Sequence, residues 1–102
     1  MFSIVVFGFP LDSSQKKRDK LEDAIKESII WIRKSKVCKN QIGVHFSQDL
    51  NSFDPKKGIL IVIYNRVTNP SIRPGDHKYY EDIMLKFINR AMPDLRVEIY
   101  FS

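Results

Sequence analysis

Cysteine is nearly absent: the 102 residues hold one, Cys38. A lone cysteine closes no intrachain disulfide, and small secreted domains are normally stapled by several. The chain therefore reads as an intracellular one, at home in a reducing compartment. Glycine (4) and proline (5) are scarce, which excludes a collagenous, linker-like or low-complexity chain. Gly8 stands alone, so no glycine-rich loop is available to cradle a phosphate. Long apolar runs are also lacking. The opening MFSIVVFGFP has no basic leader and its apolar stretch stops at Pro10. It fits neither a signal peptide nor a membrane span.

What is present is ordinary globular material. Hydrophobic residues make up 43% and charged residues 28%, close to average usage. The length suits a single domain over 1–102, with one core. Lys and Arg number 17 against 12 Asp and Glu, a net charge of +5. That balance admits nucleic acid or an acidic protein as a partner.

Six elements follow from pattern. Residues 2–9 are β-branched and aromatic up to Pro10, as in a strand. Asp12 and Gln15 have capping-box spacing. Leu21, Ala24, Ile25, Ser28, Ile29 and Ile32 then share one helical face, and the helix is expected to end near Lys36. Residues 40–47 alternate, with Ile42, Val44 and Phe46 on one side of a half-buried strand. Residues 48–57 are polar and link the halves 1–47 and 58–102. Residues 58–64 are apolar throughout, as in a strand covered on both faces. Asp76 caps a second helix running to Met92, where Pro93 stops it. Residues 94–101 alternate again.

The order is βαββαβ, and the halves look alike: LEDAIKESI at 21–29 aligns with YEDIMLKFI at 80–88. The expected fold is an α/β (or α+β) two-layer sandwich. It has a four-stranded sheet with two helices on one face. The first and third strands are the more apolar and belong in the centre. Both a ferredoxin-like and a pseudo-twofold arrangement of two βαβ units fit, and the long linker favours the second.

Few residues suggest chemistry. His77 and Glu81 share a helix face, but a metal site needs three or four ligands and none stands nearby. Glu22-Asp23 and Glu81-Asp82 are adjacent on helices, so neither pair faces inward as an acid/base dyad. Cys38 and His45 form no recognisable nucleophile–base pair. No enzyme, cofactor or metal follows from these residues. Two features remain. One is surplus apolar surface: Ile30, Trp31, Leu85 and Ile88 lie outside the expected core stripes, in which Tyr80, Ile83, Met84, Phe87 and Ala91 form the stripe of helix two. They nominate a protein- or peptide-binding groove between the halves, while the sheet's other face offers a surface for self-association. The alternative is a nucleic-acid site built from Lys16, Lys17, Arg18 and Lys20, extended by Arg66, Arg73 and Lys78.

The double βαβ order resembles the tautomerase superfamily over most of the chain. That resemblance implies the fold. The family's activity depends on a proline directly after the initiator Met, whose amine is the base, and here that residue is Phe2. The order also resembles an RNA-recognition module, with Phe7 and Tyr64 as stacking aromatics. However, GILIVIY lacks the basic-Gly-aromatic pattern of that module. In length and general make-up the chain is also similar to small orphan proteins of filamentous viruses of hot-acid archaea such as Acidianus. That likeness implies a host-cytoplasm location and an accessory role, and it assigns no residue. The reading that stands foremost is a non-enzymatic protein–protein interaction or assembly module, with no membrane partner.

Overall fold

The computed structural model describes residues 2–9, 15–34, 38–47, 58–64 and 74–101. Four strands are present: β1 (Phe2–Phe7), β2 (Ile42–Phe46), β3 (Ile59–Tyr64) and β4 (Val97–Phe101). Two helices follow β1 and β3: α1 (Gln15–Ile32) and α2 (His77–Ala91). The sheet order is β2-β1-β3-β4. β1 pairs with β2 in parallel, β3 with β4 in parallel, and β1 with β3 antiparallel.

This is the pseudo-twofold arrangement. Each βαβ unit keeps its own parallel pair, and the two units join through their first strands. The ferredoxin-like alternative does not occur. The two apolar strands are central, as expected from their composition, because an inner strand has neighbours on both sides. Within each unit the helix runs back against its strand. Since β1 and β3 are antiparallel, α1 and α2 pack side by side and antiparallel.

Both helices cover one face of the sheet. Ile4 and Val6 of β1 pair in register with Ile63 and Ile61 of β3, and all four are buried beneath the helices. Leu21, Ile25 and Ile29 of α1 meet them, as do Tyr80, Met84 and Ile88 of α2. Their i, i+4 spacing puts each trio on one helical stripe. Burying an aliphatic side chain contributes roughly 1.5–3 kcal/mol, so these few residues dominate the fold. Ser28 is the buried polar side chain among them. Its hydroxyl donates to the Ile25 carbonyl at 2.6 Å, which satisfies the proton inside its own helix.

Boundaries differ from the sequence pattern for local reasons. α1 stops at Ile32, four residues earlier than expected. The Arg33 N–H still donates to Ile29, but Lys34 has φ of 53°, a left-handed backbone that no helix continues through. A 3₁₀ turn at Lys39–Gln41 leads into β2. The Cys38 N–H donates to the Gln41 side chain at 2.9 Å, and the Gln41 N–H donates back to the Cys38 carbonyl at 2.9 Å. A second 3₁₀ turn, Pro74–Asp76, precedes α2. Asp12 and the linker 48–57 lie outside the described residues.

Candidate functional site

Two surfaces follow from this geometry. The first is the face of the sheet that the helices leave open. Register places its side chains in rows. Across the middle run His45, Val5, Val62 and Tyr100, one from each strand. On one side of that row lie Phe7, Leu60 and Glu98, and on the other Gly43, Ser3 and Tyr64. Val5, Val62, Phe7 and Leu60 make two adjoining rows apolar on the central strands; His45 and Glu98 stand on the edge strands, and Ser3 lies at one end of β1. Tyr100 is 62% exposed and Leu60 37% exposed, whereas Val62 is shielded to 8% by its neighbours. A solvated sheet face would normally carry polar residues at such positions.

The second surface is the groove between α1 and α2 on the outer side of the helix layer. Toward the C-terminal end of α1 it holds a depression of about 520 Å³ floored by Ile30, Trp31 and Phe87, with Lys34 and Lys39 on its rim. Toward the other end a smaller one, about 250 Å³, follows Ala24 and Ala91 between Lys20 and Arg90. Glu27 and Phe87 belong to both, so the two are continuous. Trp31 is 56% exposed and meets Phe87 at 6.5 Å between ring centroids, tilted by 57°. Glu27 pairs with Lys39 at 3.8 Å, both half in solvent; such a pair contributes little to stability.

The structure sorts the residues nominated from sequence. Ile30 and Trp31 do reach the groove. Ile88 does not: it is fully buried in the core, at the centre of the α2 stripe rather than at its margin. Phe87, expected in the core stripe, takes the groove position instead. Leu85 is two residues from Phe87, hence about 160° around the helix, on the flank away from the groove. The amphipathic arc is wide enough that the pattern alone misplaces its centre by one residue.

Among the described residues, Lys78 stands apart from the rest of the basic set. Lys16, Lys17 and Lys20 are exposed on the first turns of α1, and Arg18 is half-buried. Lys78 starts α2, beside the other end of α1, where Arg33 donates to Tyr80 at 3.1 Å. Seventeen residues of helix, roughly 25 Å, separate Lys16 from that end. Arg66 and Arg73 lie outside the described residues. Glu22, in the same stretch, pairs with Lys26 at 3.7 Å. The His77 ring stacks on Phe101 at 4.4 Å and 6°. Among the described residues no cluster of three His, Cys, Asp or Glu could hold a metal ion. No described helix is long and apolar enough to cross a membrane. Phe7 and Tyr64 both lie on the open sheet face, but at opposite ends of it.

Fold and surfaces together define a small α/β protein of two fused βαβ units, with one apolar sheet face that the helices leave open. That architecture is shared with tautomerase-superfamily structures. A fused 4-OT, solved as an asymmetric trimer, matches with a TM-score of 0.70 and 8% identity, over 98% of this chain and 84% of its own. FG41 malonate semialdehyde decarboxylase, inhibited by 3-bromopropiolate, matches at 0.65 and 10%, over 100% and 81%. A domain of unknown function (DUF1904) from Sebaldella termitidis matches at 0.63 and 10%, over 100% and 87%. The expected family resemblance thus holds at the level of fold. No family model and no curated protein matches the chain, and the likeness to viral orphan proteins draws no support from either.

Proposed function

We propose that the protein is a non-enzymatic assembly module that associates with further copies of itself through the open face of its sheet. The observation that carries this reading is the exposure of Leu60 (37%) and Tyr100 (62%) on that face, beside Phe7 and Val62. A monomer would leave them against water, which is the usual mark of an interface. The trimeric state of the fused 4-OT supports association of this architecture.

Size favours a closed ring over a simple face-to-face dimer. Four strands about 4.8 Å apart and five or six residues long give a footprint on the order of 350 Å². Stable interfaces bury about 800 Å² per partner. A ring adds the free edges of β2 and β4 to the buried area and leaves no strand edge open.

Tautomerase-type catalysis is not part of this reading. The base in that chemistry is a prolyl amine, and the residue after Met1 is Phe2. A keto–enol tautomerisation assay on the native protein is expected to show no rate above that of buffer.

Sedimentation velocity across a concentration series tests the assembly. The native chain is expected to sediment as an oligomer, and the double variant Leu60→Lys, Tyr100→Lys as a monomer with native circular dichroism. A native chain that remains monomeric at about 100 μM, far above typical dissociation constants of stable assemblies, would overturn the proposal.

A further inference from the structure

We propose that the groove between α1 and α2 is a docking site for an acidic amphipathic helix of a partner protein. This does not rest on self-association, because the groove lies on the side of the helix layer opposite to the sheet.

Shape argues for a helix. Two antiparallel helices form a valley, and small residues at Ala24 and Ala91 keep it low at one end. A third rod can settle there against Phe87 and run toward the wider aromatic end at Trp31. Helix-in-groove recognition uses apolar anchors at i, i+3 or i+4, and i+7. The distance from Ala24 to Trp31 is about two turns, roughly 10 Å, which such a set of anchors spans. An exposed Trp backed by a second aromatic ring is the kind of anchor that dominates interface energies.

Charge decides the partner's sign and layout. Lys20 and Arg90 stand at one end of the groove and Lys34 at the other, where Lys39 already pairs with Glu27 at 3.8 Å. Asp23 and Glu27 lie between them. A complementary occupant is therefore acidic near both ends and apolar in the middle. Lys34 lies just past the end of α1, more than three turns from Lys20, so the occupant's acidic clusters are about 20 Å apart. A phosphate backbone crossing the groove would meet Asp23 and Glu27 midway, which favours a peptide over nucleic acid.

Trp31 is the single tryptophan of the chain, so its emission reports on the groove directly. The probe is a synthetic helix of about 18 residues, with leucines at i, i+4 and i+7 and glutamates near both ends. A control peptide carries lysines in place of the glutamates. Saturable binding of the acidic peptide with a blue shift of Trp31 emission is expected, and none with the lysine peptide. By anisotropy of a labelled peptide, Trp31→Ala and the exposed pair Lys34→Glu, Arg90→Glu should each weaken binding roughly tenfold or more, with unchanged circular dichroism. The sheet-face variant Leu60→Lys, Tyr100→Lys should keep full binding, which separates this site from the assembly face. The proposal is overturned if neither peptide binds, if both bind equally, if the sheet-face variant loses binding, or if oligo(dT) alone shifts Trp31.

Discussion

The Arg33 guanidinium donates to the Tyr80 hydroxyl at 3.1 Å, joining the end of α1 to the start of α2 and so one half of the molecule to the other. Tyr80 is only 4% exposed, and its ring meets Phe101 edge-on at 6.3 Å and 85°. Tyr80→Phe keeps that ring contact and removes the hydrogen bond. A charged donor is involved, so the expected loss is about 1–2 kcal/mol. Urea denaturation should show a lower midpoint with an unchanged slope. A change in slope would mean that the hydroxyl does more than tie the halves.

Gly58 opens the second half with φ of +78°. A Cβ at this position would run into the Arg96 carbonyl oxygen, the same atom that accepts the Ile59 N–H at 2.9 Å. Backbone and space thus oppose any side chain. Gly58→Ala is expected to destabilise by about 2 kcal/mol or more. Gly75→Ala is the control: nothing lies within 4 Å of its Cβ position, and its effect should stay within about 0.5 kcal/mol. Similar losses at both glycines would contradict this account.

Lys34 makes the opposite case. It is a non-glycine residue held at φ of 53° just past α1, where glycine is the usual choice. Lys34→Gly relieves that cost and should raise stability by about 0.5–1 kcal/mol in thermal or urea unfolding. A loss of stability would show that the lysine side chain makes contacts worth more than the strain.

Residues of the helix layer should respond very differently to truncation. Ile88→Ala opens a cavity in the core and is expected to cost about 2–5 kcal/mol. Trp31→Ala, across the groove on a half-exposed side chain, should cost well under half of that. Ser28→Ala is expected to be nearly neutral despite complete burial. The Ile25 carbonyl keeps its helical partner, no donor is stranded, and Ala is the better helix former.

The fold was largely legible, and for a physical reason. Period-two and period-3.6 patterns record which side of each element is covered, so 58–64 read as central and 40–47 as an edge without any coordinates. The site was less legible. Trp31 stood out because a large apolar side chain off the helical stripe is costly in water. Ile88 and Phe87 were exchanged because α2 is apolar over so wide an arc that its centre is set by packing against β3 and α1. Lys78 seemed to extend a cluster with Lys16 and Lys20 only because sequence does not show which helix ends meet. The early stop of α1 rests on the backbone at Lys34, which lysine gives no hint of. The open sheet face was foreseeable as a surplus, but its rows needed the register.

Assembly through that face has a thermodynamic signature independent of hydrodynamics. If folding and association are linked, the folded protomer gains stability with concentration. In a three-membered ring, two association steps are shared by three protomers. A tenfold rise in concentration then contributes about 0.9 kcal/mol per protomer, two-thirds of the 1.4 kcal/mol for a factor of ten. For a domain of this length that corresponds to roughly 4–7 °C in Tm. Leu60 and Tyr100 are exposed within the protomer, so lysine there removes association while leaving the core intact. Calorimetry should therefore show a Tm that climbs with concentration for the native chain and stays level for Leu60→Lys, Tyr100→Lys. The variant's constant value should lie below the native one at every concentration where the native chain is assembled. A native Tm that ignores concentration, with the variant matching it, would leave the apolar rows without an occupant and sink the assembly reading.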